Sequence, residues 1–384
     1  MSGSGGRGLA LVAVLAGLSG CSVFVPRNEP PPAPPEPPKP QYAAPLATHT
    51  FPYDPQTTTV VGTLQATIAR EEDTLPDIAR RFNLGYDELI NANPGVDPWL
   101  PKEGTRIVLP TQFILPDAPH DGVVINLAAL RLYYFPKPAK GEQRVVVTVP
   151  IGIGMVGWAT PEGATKIVSK RKDPVWTPPE SVRREHAAEG DILPARVPAG
   201  PDNPLGAFAM NLGWPSYLMH GTNKPAGVGM RASHGCIRLY PEDIATLFPQ
   251  LPIGTKVTVV NQPLLYKVQD GRFYVQSYPP HEEHPEAKAA AQGKRINKKV
   301  QERMTQRAKP AALTLEWPLI EQVVNAAQGI AMPVSQPATD VEQFLASARL
   351  VENRIPADAT WDGSDRPVPI RDAAAAPAVA AGGH

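Results

Sequence analysis

Apolar positions recur with a different period in each part of the chain. Residues 9–16 form one continuous apolar run behind the single charge of Arg7, too short to span a bilayer as a stable helix and shaped like an export signal. Between residues 63 and 110 the period becomes helical. Leu75, Ile78, Ala79 and Phe82 fall on one face behind Thr74 and Asp77, which read as a capping-box start. A second short helix is predicted over residues 86–93, with Leu89 and Ile90 inward and Pro94-Gly95 as its stop. Residues 66–68 and 105–108 read as strands, so this unit has the order strand, helix, helix, strand.

From residue 121 to about residue 260 the pattern changes to short β-branched and aromatic runs, at 123–125, 130–134, 145–149, 166–168, 208–210 and 256–260. One helix interrupts them from Pro241 to about Phe248, with Pro241 in its first turn and Ile244, Leu247 and Phe248 on its apolar side. The expectation is a mostly β, mostly antiparallel, sandwich-like domain. Downstream, residues 288–309 are rich in Lys and Arg with too few apolar positions to bury a face, which predicts a solvated helix, or a contact with anionic wall or membrane groups. Residues 319–327 read as a packed helix, and the Ala, Pro, Asp and Gly content beyond residue 357 predicts disorder.

Composition adds limits. A chain of 384 residues that is 42% hydrophobic holds two folded units plus linkers, and its zero net charge gives no whole-chain case for nucleic-acid binding. Many of the 47 prolines cluster between residues 26 and 45, where an extended polyproline-II-like spacer is expected. The predicted division is a signal at 1–21, a Pro-rich linker at 22–62, a small unit at 63–111, a β domain at 121–261, a helical and basic extension at 262–356 and a tail at 357–384.

Two cysteines are present. Cys21 closes Leu18-Ser19-Gly20-Cys21, which resembles the bacterial lipobox. That resemblance implies acylation of Cys21 as the first residue of the mature chain, with Ser22 directing it to the outer membrane of a Gram-negative cell. An ordinary cleaved signal peptide is the alternative. With Cys21 lipidated, Cys236 has no partner for an intrachain disulfide.

Cys236 lies in Ser233-His234-Gly235-Cys236-Ile237-Arg238, downstream of His220-Gly221. A thiol needs a base to become a nucleophile, and His220 and His234 are the candidates. On a strand, His234 and Cys236 would share a face, but Gly235 favours a turn that separates them, so His220 at the end of an apolar strand is preferred. Gly235 also lets the backbone aim N–H groups of Gly235 and Cys236, with His234, into an oxyanion hole supported by Ser233. Arg238 suits a substrate carboxylate, or a structural ion pair. The histidines lack metal-ligand spacing, and no cofactor is predicted.

His220-Gly221-Thr222, Gly227-Val228-Gly229 and Ser233-His234-Gly235-Cys236-Ile237-Arg238-Leu239 resemble the signature of the L,D-transpeptidase catalytic domain (YkuD type), over roughly residues 122–261. The resemblance implies Cys236 as nucleophile, His220 as proton acceptor and donor, and Arg238 and Gly221 at the substrate. Asp73-Thr74-Leu75, Ile78-Ala79, Leu89-Ile90, Asn91, Asn93 and residues 104–110 resemble a LysM unit, a module for N-acetylglucosamine glycans, with Glu72 in place of the usual Gly and an insertion at residues 96–101. Residues 173–179 and 197–206 resemble the enterobacterial branch with LysM before the catalytic domain. That branch implies a thioester with the diaminopimelate carbonyl of a tetrapeptide stem, release of D-alanine, and transfer to an amine of another stem or of a Braun-type lipoprotein. The implied partners are peptidoglycan stems and glycan, that lipoprotein, and a membrane reached through the N-terminal lipid. A cysteine hydrolase on the same fold and a non-catalytic wall-binding lipoprotein are the competing readings.

Overall fold

The computed structural model describes residues 49–281 and 295–354. The predicted export signal, Cys21, the proline-rich run, the start of the basic segment and the predicted tail from residue 357 fall outside the described residues. Folded structure begins before residue 62, however, where the sequence pattern places a linker. Strands β1 (Thr50–Pro52) and β2 (Val60–Gly62) are both paired, and His49 is buried with its Nε2–H donating to the Phe82 carbonyl at 2.7 Å. The proline-rich composition stops short of these residues, and only their long-range partners reveal them as strands.

The small unit has the expected order: β3 (Gln65–Ile68), α1 (Leu75–Arg81), α2 (Tyr86–Ala92) and β4 (Arg106–Leu109), with β3 and β4 antiparallel. Thr74 and Asp77 form the reciprocal capping box that starts α1. β5 (Gln112–Ile114) then pairs with β2.

The larger part is built from β6 (Gly122–Asn126), β7 (Arg131–Phe135), β8 (Val145–Pro150), β9 (Ile153–Gly154), β10 (Gly163–Lys172), α3 (Glu180–Ala188), β11 (Phe208–Leu212), β12 (Leu218–His220), β13 (Arg231–Ser233), β14 (Ile237–Arg238), α4 (Pro241–Gln250) and β15 (Lys256–Val260). One sheet of nine strands runs in the order β1-β8-β7-β6-β15-β10-β11-β12-β14. It is mostly antiparallel, with β15–β6 and β12–β14 parallel. β10 turns the corner. Its first residues pair with β15, its last with β11, and the register shifts between Ile167 and Ser169.

Both faces of β6, β7 and β8 are covered. Val123, Ile125, Leu132, Tyr134 and Val149 point into a core with Ile244 and Leu247 of α4, while Val124, Tyr133, Phe135 and Val146 pack against Leu75, Ile78, Leu84 and Leu89 of the small unit. Continuous apolar runs rather than an alternating pattern follow from this two-sided burial. The joint holds a buried ion pair: Arg131 of β7 donates from Nε and Nη2 to the two oxygens of Glu88 of α2, at 2.8 and 2.7 Å. Glu88 Oε2 also accepts the Gly85 N–H at 2.9 Å and so caps α2.

The segment after residue 262 is not simply helical and basic. It opens with a hairpin, β16 (Leu264–Gln269) and β17 (Arg272–Ser277), extended by β18 (Met332–Pro333), and returns β19 (Arg349–Leu350) parallel to β3. The helix Lys298–Ala308 is also not wholly solvated: Val300, Met304 and Ala308, four apart, are buried against Phe273 and Ile320. A stripe one residue wide is enough when the sheet opposite it is apolar. The packed helix expected near residue 319 is present as Trp317–Ala326.

Candidate active site

The parallel ladder between β12 and β14 positions the reactive groups. Met219 lies level with Ile237 and His220 with Arg238, so Cys236, one residue before β14, falls level with Leu218. Because side chains two apart share a face and parallel partners point the same way, Cys236, Arg238 and His220 stand on one face of the sheet.

His220 is 4% exposed, and its Nδ1 lies 2.6 Å from the Gly221 carbonyl oxygen. A carbonyl only accepts, so Nδ1 carries the proton and the Nε2 lone pair is left able to accept one. Burial, reinforced by the Arg238 guanidinium, lowers the imidazole pKa from its ordinary value to about 3. Burial pushes the Cys236 thiol up, opposed by a backbone hydrogen bond from Leu218 and by Arg238. Both shifts favour a neutral thiol and a neutral imidazole at rest, so the thiolate arises by proton transfer during attack. The resting Cys236 Sγ–H is directed at the Ser216 carbonyl, 3.6 Å away.

Gly235 turns the chain just before Cys236. Its φ is +98°, in the region that favours glycine, and a Cβ there would meet the Tyr217 ring at 2.8 Å. Its carbonyl accepts from Thr160 Oγ1 at 2.9 Å, and Ser233 Oγ donates to the Cys236 carbonyl at 2.6 Å. With those carbonyls tied back, the N–H groups of His234, Gly235 and Cys236 donate to no acceptor among the described residues. Tyr217 OH bonds the Ala159 carbonyl at 3.3 Å, closing the loop of Trp158 over the turn.

His234, the alternative candidate base, has its ring engaged elsewhere, while its backbone N–H remains at the turn. Nε2 meets Glu185 of α3 at 2.8 Å and the ring stands edge-on to Trp158 at 4.9 Å. No periodicity pointed to α3, which lies in the excursion between β10 and β11; that excursion is clamped at its base by Asn203, whose amide donates to the carbonyls of Pro174, Val197 and Pro198. Gly221, placed at the substrate by the resemblance, is buried, and its carbonyl is the acceptor that sets the His220 tautomer. Arg238 makes no ion pair among the described residues; its backbone is paired to Gly152, its Nε is buried without a partner, and its guanidinium belongs to the site. No group of three His, Cys, Asp or Glu side chains suited to a metal ion occurs among the described residues.

A partly buried thiol, a neutral imidazole with a free lone pair, and undonated N–H groups at the glycine turn form a centre suited to thiol-based acyl transfer. Comparison with known proteins gives the family. The YkuD model, the L,D-transpeptidase catalytic domain, matches residues 120–259, and the LysM domain model matches residues 68–110. The protein "Probable L,D-transpeptidase YcfS" of Escherichia coli strain K12 is 45% identical over 227 residues, which are 58% of this chain and 70% of that one. "Probable L,D-transpeptidase YbiS" of the same strain is 43% identical over 60% of this chain and 75% of its own length. "Probable L,D-transpeptidase ErfK/SrfK" of Salmonella typhimurium strain LT2 is 41% identical over 60% and 74%. The chain belongs to the L,D-transpeptidase family and carries a LysM domain ahead of the catalytic domain.

Proposed function

We propose that this L,D-transpeptidase acts through Cys236 and His220 on the tetrapeptide stem of peptidoglycan. His220 Nε2 takes the thiol proton as Sγ attacks the diaminopimelate carbonyl, and the tetrahedral oxyanion is held by the N–H groups of Gly235 and Cys236. Collapse expels D-alanine, whose amine takes the proton back from His220. An acceptor amine then attacks the thioester, His220 accepts its proton, and Sγ leaves as the thiol. Arg238 meets a stem carboxylate, for which its unpaired, half-buried guanidinium is suited.

The observation that carries this reading is the β12–β14 register, which sets His220 and Cys236 on one face with the imidazole already in the tautomer a base requires. The acceptor is an amine of a second stem or of a lipoprotein lysine, with the LysM domain engaging glycan. Cys21 anchors the enzyme by lipid to the outer membrane, facing the periplasm. Purified disaccharide-tetrapeptide, incubated with and without an added amine and analysed by mass spectrometry, tests the reaction. An amide-linked product formed with loss of D-alanine supports transfer; tripeptide alone, in the presence of amine, makes the enzyme a hydrolase.

A further inference from the structure

The Gly227-Val228-Gly229 segment links the catalytic face to the LysM domain, and each of its three residues has a distinct contact. At one end, a Cβ on Gly227 would lie 2.7 Å from Arg238 Nη1, so the guanidinium rests directly on this backbone. In the middle, the Val228 carbonyl accepts the Tyr86 N–H at 3.2 Å, and at the other end the Gly229 carbonyl accepts the Asp87 N–H at 3.0 Å. Tyr86 and Asp87 open α2, whose first N–H groups have no partner inside the helix. The approach is close enough to require glycine on both sides. A Cβ on Gly229, whose φ is +82°, would fall 2.2 Å from Gly85 Cα, and one on Gly85 would fall 2.7 Å from Gly229 Cα.

We propose that the LysM domain positions the substrate-binding arginine: the start of α2 holds the Gly227–Gly229 strap, and the strap sets where the Arg238 guanidinium stands. This rests on the assignment of Arg238 to a stem carboxylate. The LysM domain is then a working part of the catalytic cleft as well as a wall-binding module. Its helix is fixed against the sheet by the buried Arg131–Glu88 pair, so the strap is held by a rigid element. Gly85 and Tyr86 are positioning residues; they act through Arg238 and touch no reacting atom.

The test uses the full chain and the Gly85→Ala variant. Gly85 has φ −85° and ψ 160°, which alanine adopts freely, so its only conflict is with the Gly229 backbone. The native disaccharide-tetrapeptide donor is compared with two matched donors, amidated at the D-alanine carboxylate or at the free diaminopimelate carboxylate. Gly85→Ala is expected to raise KM for the native donor roughly tenfold with kcat within about twofold, the size of one lost charge-assisted hydrogen bond. The penalty should vanish with one amidated donor and on an Arg238→Ala background. Tyr86→Pro, which removes the N–H bonded to Val228 while proline suits a first helical position, should reproduce it and serves if the alanine variant does not fold. An equal penalty on all donors, full multiplicativity with Arg238→Ala, or no change in KM in a folded variant overturns the proposal. If Arg238→Ala itself fails to distinguish the donors, the assignment of Arg238 to the carboxylate is wrong; if it distinguishes them and the Gly85 and Tyr86 variants do not, only the strap is wrong.

Discussion

His220 and Arg238 stand side by side on adjacent parallel strands, so the imidazole lies next to a guanidinium cation. Burial alone disfavours an imidazolium at this position, and the guanidinium disfavours it further. The same cation favours the Cys236 thiolate, so Arg238 eases loss of the thiol proton while disfavouring the imidazolium that would receive it.

Because the imidazole is held neutral down to about pH 3, acylation should show no inflection near the ordinary histidine value. The rate of acylation by a carbapenem, followed by adduct mass, is expected to be level between about pH 5 and pH 8. Replacing Arg238 by Gln removes a cation that lowers the imidazole pKa, so the acidic limb should move to higher pH. An inflection near pH 6.5 in the wild type would show an exposed base.

Cys236→Ala should abolish the acyl-enzyme while leaving the fold intact, since the side chain is partly exposed and its neighbours are tied by their own backbone bonds. Carbapenem mass should add to the wild type alone. Adduct on the alanine variant would place the nucleophile elsewhere.

Replacement of His220 should slow acylation on the order of 100-fold or more, the usual size of a lost general base. His234→Ala should cost far less, because its ring is engaged by Glu185 and Trp158. A larger loss at His234 would reverse the assignment.

His49 gives a stability prediction with a definite sign. Burial lowers its pKa to about 3, so between that value and the unfolded value the unfolded chain binds a proton that the folded chain refuses, and stability falls as pH falls. On acidification from about pH 7.5 to pH 5, His49→Gln should lose about 2 kcal/mol less stability than the wild type, measured by denaturant unfolding. Parallel losses in the two proteins would show that His49 is protonated in the fold.

Glu88→Ala leaves the Arg131 guanidinium buried without its carboxylate, which costs about 3–5 kcal/mol. A lowered Tm is expected, together with earlier proteolysis at the joint between LysM and catalytic domains.

The proposed anchor at Cys21 is tested in cells. The spacer that the sequence predicts from Pro26 to Pro45 would, at about 3.1 Å per residue, reach up to about 60 Å. Cys21→Ser should release the protein into the soluble periplasmic fraction with unchanged activity on dissolved muropeptides, and continued outer-membrane fractionation would locate the anchor elsewhere.

The sequence by itself determined the local elements and the chemistry. Leu75, Ile78 and Ala79 at helical spacing behind Thr74, the runs around Val124 and Tyr133, and Pro241 at a helix start each encode structure within a few residues, and Gly235 before a lone thiol marks a turn that only glycine makes easily. Tertiary structure alone decided what lies against what. That the runs in β6 to β8 are continuous because the LysM domain covers their second face, that β1 and β19 join sheets far away in sequence, that the basic helix Lys298–Ala308 buries a stripe, and that Gly221 sets a tautomer while His234 leans on α3 all depend on partners many residues distant. Propensity and periodicity are short-range signals, whereas burial, register and electrostatic environment belong to the assembled packing, which no window of the chain contains.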